Sequence, residues 1–470
     1  MLIIQWDDIV TTFAWGIAVY MVIVIFFYSV ILVISMFQLR KEYKLDRVLA
    51  YEDYLDEIYT KPISIIVPAY NEEAGIVHSV RSLLSVNYPT YEIIVVNDGS
   101  TDHTLKKMID HYDMKEIKRV VRKQVNSKPI SKIYQSAIFA HLFLVDKVNG
   151  GKADALNVGL NFSQYPYFCS LDGDSVLEQD ALLKVMKPII DSNGDVIASG
   201  GSVRIANGCQ IQNGQIQNIG LSDKPLVVMQ IIEYLRAFLM GRIGLSRHNL
   251  LLIISGAFGV FSKSWVIEAG GYRTDTVGED MELVVRMHRL LKEKGQRKKI
   301  VYVQDPVCWT EVPEDITTLR RQRRRWHRGL FESLWIHRKI TLNPKYGSIG
   351  LLAFPYFWIV EFFGPMIELS GYIFMILGLF LGGIYIEFAI LLFFLSCLYG
   401  SIFSMAAVLL EEWSLTKYPK VSDIIKLFLY SLTETIWYRP LTVFWRCEGV
   451  WQMLRGDKSW GEMKRKGVLE

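Results

Sequence analysis

Residues 63–100 read ISIIVPAYNEEAGIVHSVRSLLSVNYPTYEIIVVNDGS. Ile63–Val67 is a short apolar run stopped by Pro68, and Glu92–Val96 is a second one ended by Asn97-Asp98-Gly99-Ser100. Short apolar runs bounded by turn residues suit buried strands. Glu72–Val86 and Thr101–Tyr112 are helical in pattern. Strand, helix, strand, helix with short connections predicts a parallel, doubly wound α/β sheet. Such sheets bind ligands beyond the carboxyl ends of their strands. Pro68–Glu72 (PAYNE) and Asn97–Ser100 both sit at such ends.

Downstream, Val120–Val125 reads as a third strand and residues 126–141 as an insertion. Leu142–Val145 and Phe168–Leu171 read as strands, separated by a glycine turn that feeds a helix at Asn149–Asn157. Val196–Ile205 and Ile300–Val303 read as further strands, the latter the last. Helical segments are expected over Val227–Met240 and from Gly278 to about Lys292, with a small-residue turn of strand character at Ser255–Phe261.

The two ends of the chain have a different texture. Hydrophobic residues make up 51% of the sequence and mean hydropathy is +0.22, with the apolar residues concentrated at the ends. Trp15–Phe37 is apolar throughout and long enough to span a bilayer. It lacks the basic leader and small-residue cleavage site of a signal peptide. Arg40, Lys41 and Lys44 follow it, which places the next segment in the cytoplasm by the positive-inside rule. After an amphipathic stretch to about Leu342, apolar segments occupy 349–363, 366–381, 384–410 and 424–450. The third is expected to span a membrane. The first carries Glu361 and the last Glu434 and Arg439, so these face protein or lie in the interface. The expected organisation is an N-terminal membrane helix (1–40), a linker (41–61), a cytoplasmic domain (62–330), an interface helix (331–346), membrane or interfacial helices (347–450) and a basic cytoplasmic tail (451–470). Five dispersed cysteines argue against a disulfide framework and fit a reducing compartment.

Several residue groups can carry chemistry. Asp172 and Asp174 flank Gly173 at a strand end, where two carboxylates can hold a divalent cation and leave positions open for phosphate oxygens. A solvated turn would look the same. Asp98 suits a base or ribose contact, or a helix cap. Lys152 follows two glycines at a helix start, near backbone N–H groups that favour an anion. Glu279 and Asp280 open a helix, where acidic residues cap the dipole or serve as a general base. Arg320–Trp326 (RRQRRRW) reads first as a positive-inside marker. Yet arginine binds phosphate bidentately and tryptophan offers a flat face to a sugar.

Order and spacing join these groups. PAYNE (Pro68–Glu72), NDGSTD (Asn97–Asp102), GGKADALN (Gly150–Asn157), DGD (Asp172–Asp174), GED (Gly278–Asp280) and QRRRW (Gln322–Trp326) follow one another over residues 62–326. The chain resembles membrane-integrated family 2 glycosyltransferases, the group of cellulose, chitin, hyaluronan and poly-N-acetylglucosamine synthases. The resemblance implies a GT-A-type α/β nucleotide-binding domain in the cytoplasm, flanked by transmembrane α-helices in a multi-pass cell-membrane protein. It implies uridine binding by Ala69, Tyr70, Glu72 and Asp98, and a nucleotide-sugar contact by Lys152. Asp172 and Asp174 match the diphosphate and Mg2+ or Mn2+ pair, with Asp174 the direct ligand. Asp280 matches the catalytic base. Arg325 matches the pyrophosphate contact, and Gln322 and Trp326, with Glu279 and Trp309, the acceptor site. The remaining arginines are expected to be surface charge near lipid headgroups. Gly278 stands where the family often has threonine, so the loop before the base is expected to differ.

The expected reaction is inverting β-transfer from a UDP-sugar, either to a growing glycan that is moved across the membrane or, singly, to a lipid. A non-catalytic membrane scaffold is the reading from another class. The lipid bilayer and accessory export or modification proteins are the expected partners, and nucleic acid is not.

Overall fold

The computed structural model describes residues 6–46, 60–212, 215–381, 386–414, 418 and 420–455. Most of the expected linker (47–59) and of the basic tail (456–470) lies outside the described residues.

The central element is a ten-stranded sheet. Its strands in chain order are β1 (Ile63–Ala69), β2 (Tyr91–Asn97), β3 (Met114–Glu116), β4 (Ile130–Ser136), β5 (Leu142–Lys147), β6 (Tyr167–Leu171), β7 (Val176–Leu177) and β8 (Val196–Ile205). A separate hairpin, β9 (Gln210–Gln212) and β10 (Gln215–Asn218), precedes β11 (Phe258–Ser262) and β12 (Lys299–Thr310). The spatial order is β3-β4-β5-β2-β1-β6-β11-β8-β12-β7. The interior strands β1, β2, β6 and β8 are buried on both faces, which is why they read as continuous apolar runs rather than alternating ones.

The sheet is mixed, not purely parallel. β5, β2, β1 and β6 run parallel, as do β8 and β12. β11 runs antiparallel between β6 and β8, and β4 antiparallel beside β5. β4 falls in the stretch expected to be an insertion. The expected strand at Val120–Val125 does not form. Its backbone is held by one amide instead: Asn161 accepts from Gln124 N–H and Val125 N–H at 2.7 and 2.9 Å and donates to Val125 C=O at 2.9 Å.

The helices are α1 (Trp6–Asp46), α2 (Ile76–Leu84), α3 (Thr104–His111), α4 (Lys152–Phe162), α5 (Ala181–Asp191), α6 (Pro225–Leu235), α7 (Ile243–Arg247), α8 (Lys263–Glu268), α9 (Glu279–Glu293), α10 (Ile316–Ile336), α11 (Phe354–Tyr356), α12 (Gly364–Leu381), α13 (Ile386–Ser414), α14 (Val421–Thr433) and α15 (Arg439–Leu454). Wide π-helical turns join α6 to α7, flank α11 and join α14 to α15. α4 is buried along its length from Ala153 to Phe162, against β1 and β2. A second apolar cluster holds Val24 and Ile31 of α1, Met281 and Val285 of α9, Leu334 of α10 and Phe354 of α11, so the long N-terminal helix shares a core with α9 and α10.

Among the described residues two helical stretches are long and apolar enough to cross a membrane, Thr11–Lys41 and Ile349–Ile376. α1 leaves Trp15, Val22, Phe26 and Phe37 exposed. The stretch expected as the third apolar span forms α13, 29 residues long. The charges in the last stretches face protein: Glu434 pairs with Arg236 at 2.8 Å and Arg439 with Glu368 at 2.7 Å.

Candidate active site

The first two strand ends are stitched together by side chains. Asn71 Oδ1 accepts from Thr101 N–H at 2.9 Å, Glu72 N–H donates to Thr104 Oγ1 at 2.8 Å, and Glu73 N–H donates to Asp102 at 3.2 Å. Ala69 is buried, and its carbonyl accepts from Asp98 N–H at 2.9 Å. Tyr70 is half exposed beside it. A Cβ on Gly173 would stand 3.3 Å from Pro68 O and 3.5 Å from Glu72 Cγ, so the PAYNE loop and the DGD turn meet.

Asp98 is enclosed. Gly150 N–H and Gly151 N–H donate to its two carboxylate oxygens at 2.9 and 2.7 Å, and Lys147 pairs with it. Lys147 also pairs with Asp154 at 2.8 Å, and all three side chains are buried. A buried charge needs such partners. Asp98 thus fastens the glycine turn before Lys152, and Gly151 takes φ +87° to make that turn. Lys147 and Asp154 were not among the expected site residues. The available signals were a lysine closing an apolar strand and an acid within an otherwise buried helix.

Lys152 pairs with Asp172, stands 3.8 Å from Glu279 and donates to Gly256 O at 3.3 Å. Burial pushes its pKa down, but Asp172 and Glu279 outweigh burial and hold it above its ordinary value. Asp280 accepts from Gly256 N–H at 3.1 Å on Oδ2 and from Met281 N–H at 2.8 Å on Oδ1. A Cβ on Gly256 would meet Lys152 Nζ at 2.8 Å, so this loop comes close because it lacks a side chain. Burial pushes the Glu279 carboxyl up to about 7 against the pull of Lys152, and Asp280 adds to the rise. The nearby charge of Arg325 acts in the opposite direction, which brings α10 within electrostatic reach of α9.

α10 presents Trp326 half exposed, with the Arg323 guanidinium 4.3 Å from its ring centroid. Two expectations fail here. Trp309 is 1% exposed and donates its indole N–H to Glu178 at 3.1 Å, so its packing leaves no face for a sugar. Of the arginines expected to be surface charge, Arg320 and Arg321 are exposed, but Arg323 is not. Arg323 is buried against Glu233 at 2.6 Å, and Arg320 and Arg324 bind Glu448 of α15 at 2.7 and 3.1 Å.

No cluster of three or more metal-ligating side chains occurs among the described residues. Asp172 and Asp174 at the β6 end fit a hard cation that takes one or two carboxylates and completes its shell with phosphate oxygens and water.

The chain matches the family model described as glycosyltransferase like family 2 over residues 61–329. It is 31% identical over 294 residues to the poly-beta-1,6-N-acetyl-D-glucosamine synthase of Staphylococcus epidermidis strain RP62A, covering 62% of this chain and 60% of that one. It is 30% identical over the same length to the synthase of that name from Staphylococcus aureus strain COL, with the same coverage. The match therefore spans about 60% of the length of these curated relatives. Among solved structures, the mannosyltransferase PcManGT from Pyrobaculum calidifontis, in complex with GDP-Man and Mn2+, is 15% identical with a TM-score of 0.49, covering 87% of this chain and 99% of that one.

Proposed function

Because the chain belongs to the glycosyltransferase like family 2, matched over residues 61–329, we propose that it is a membrane-bound inverting β-glycosyltransferase that extends a polysaccharide from a UDP-sugar. The relatives named as poly-beta-1,6-N-acetyl-D-glucosamine synthases make UDP-N-acetylglucosamine the first donor to test. The observation that carries the reading is one small pocket lined by Lys152, Gly256, Glu279 and Asp280, with Asp172 paired to its lysine.

In this reading the uridine lies over the PAYNE loop, against Ala69, Tyr70 and Glu72, on the turn that Asp98 fastens. The diphosphate lies against Lys152 and Arg325. Asp172 and Asp174 would hold Mg2+ or Mn2+, which supplies positive charge to the departing diphosphate. The acceptor hydroxyl forms a bond to C1 from the face opposite the UDP as the C1–oxygen bond to UDP breaks. Asp280 takes the hydroxyl proton, and Lys152 and Arg325 neutralise the charge that develops on UDP. Glu279 borders the acceptor side, and Gln322 and Trp326 hold the acceptor's terminal sugar. Inversion converts an α-linked donor into a β-linked product.

Processive synthesis is supported by a cavity of about 200 Å3, a multi-pass protein by the two apolar helical stretches Thr11–Lys41 and Ile349–Ile376, and a cytoplasmic catalytic part by Arg40 and Lys41 at the end of the first. The cavity lies among the helical segments and is lined by Tyr20, Glu233, Arg236, Glu368, Arg439 and Arg446. The test is incubation of the purified full chain with radiolabelled UDP-sugars, measuring UDP release and product length. Long polymer from one donor is expected. One added sugar on a lipid would replace polymer synthesis by single transfer, and no UDP release from any donor would remove the enzymatic reading.

A further inference from the structure

Behind Trp326 lies a buried charge cluster that the proposed chemistry does not use. Arg323 is 1% exposed and donates from Nη2 to Glu233 Oε2 at 2.6 Å. From Nη1 it donates to Gln322 Oε1 at 3.2 Å, and its guanidinium carbon stands 4.3 Å from the Trp326 ring centroid. Glu233, on α6, also accepts from Tyr438 O–H at 2.7 Å and from Arg446 Nη2 at 3.4 Å. Glu233, Tyr438 and Arg446 line the cavity among the helical segments. One guanidinium therefore touches both Gln322 and Trp326, and its counter-ion belongs to the cavity wall.

Burying an arginine to this degree is expensive unless its donors are met. A surface-charge role would not require it. A planar guanidinium can hold an amide oxygen with one N–H and a carboxylate with another while presenting its face to an indole ring. An ammonium could not keep that geometry.

We propose that the Glu233–Arg323 pair is a positioning device that fixes Gln322 and Trp326 to receive the terminal sugar of the acceptor. The inference rests on the glycosyltransferase reading above. The contacts of Arg323 named above run to Gln322, Trp326 and the cavity wall, all on the acceptor side, so the pair acts on acceptor binding and leaves donor binding in place. Arg323 and Glu233 are positioning residues, not catalytic ones.

The test uses the full chain in lipid nanodiscs with UDP-N-acetylglucosamine and a soluble β-linked N-acetylglucosamine oligomer. Arg323→Lys and Glu233→Gln should each raise the apparent KM for the oligomer about tenfold. KM for the donor, and UDP release without acceptor, should stay within about twofold of the parent chain. The double variant Arg323→Met with Glu233→Met removes both charges. It should recover part of the lost thermal stability, since Tyr438 and Arg446 still lack their acceptor, yet keep the raised oligomer KM. Unchanged oligomer KM in the single variants would overturn the proposal, as would equal changes for donor and acceptor. A double variant that regains stability and oligomer KM together would reduce the pair to a structural role. If Glu233→Gln does not accumulate, Arg323→Lys decides alone. Absence of UDP release from the parent chain would remove the glycosyltransferase reading and this inference with it, whereas UDP release with unaltered oligomer KM in the variants removes the inference only.

Discussion

A Cβ built on Gly278 would lie 2.8 Å from the Cα of Gly329. The reverse substitution meets the same wall, with a Cβ on Gly329 2.9 Å from Gly278 Cα. The N-terminus of α9, which carries Glu279 and Asp280, thus rests backbone to backbone on α10, which carries Gln322, Arg325 and Trp326. Glu332 accepts from Thr276 Oγ1 and Val277 N–H, both at 2.9 Å, and His337 stands 3.0 Å from Glu282. This contact explains why glycine replaces the threonine expected before the acidic pair. Gly278→Ala and Gly329→Ala should each destabilise by about 1–3 kcal/mol, the usual cost of overpacking. A thermal shift series on the purified chain checks this, and unchanged melting in both variants would show that the helices part easily.

Asp280→Asn keeps the shape of the side chain and removes its basicity. Transfer should fall by about 10²–10⁴-fold, the range for a positioned general base. UDP affinity should stay close to that of the parent chain. Titration with UDP alongside a turnover assay reads both, and retained turnover would move the base elsewhere.

Glu279 has its folded pKa raised to about 7, mainly by burial. Between its ordinary value and the raised one the folded chain binds more protons than the unfolded chain, so this residue's contribution to stability falls as pH rises through that window. Below the window it costs nothing, and above it the full cost is present. Glu279→Gln should therefore raise the melting temperature of the ligand-free chain at pH 8 and leave it near the parent value at pH 4. The gain at pH 8 is on the order of 3 kcal/mol. A gain of equal size at both pH values would contradict the titration.

Lys147 is the buried cation shared by Asp98 and Asp154, so its loss strands two carboxylates, whereas loss of Asp98 leaves it paired with Asp154. Asp98→Asn should destabilise by about 3 kcal/mol, and Lys147→Met by more, since it leaves both Asp98 and Asp154 without their cation. The double variant should lose less than the sum, because Asp98 is then no longer stranded, while Asp154 still lacks its lysine. Strict additivity in denaturation midpoints would show that the two side chains are not coupled.

EDTA should stop sugar transfer by the full chain, and Mg2+ or Mn2+ should restore it. Asp174→Ala should resist restoration at ordinary metal concentrations, because it removes one of the two carboxylates that would hold the cation. Full transfer in EDTA would dismiss the cation.

The interior of the fold was readable from the sequence because β1, β2, β6 and β8 are buried on both faces and leave unbroken apolar runs. The edge was not. β4 exposes Ser131 and Lys132, so it carries no such run, while Val120–Val125 imitates a strand and is held by the Asn161 amide. The site motifs were legible as compact groups of acids, glycines and a lysine at strand ends. Their supports were not, because each partner lies far along the chain. Arg323 finds Glu233 90 residues back, and Arg320 finds Glu448 128 residues on. Trp309 looked like a sugar platform by residue type alone, and only its burial beside Glu178 shows otherwise.

The arginines that cross from the sheet and its helices to the later helices have a practical consequence. Arg204 of β8 pairs with Glu411 of α13, Arg236 with Glu434, and Arg320 and Arg324 with Glu448 of α15. A gene fragment ending near residue 330 would strip each of these cations of its carboxylate and uncover the apolar surface around them. Such a fragment should aggregate, which size-exclusion chromatography of the expressed fragment against the full chain would read. The two halves of the chain form one inheritance unit, and any attempt to graft this sheet onto another set of helices must carry the acidic partners along.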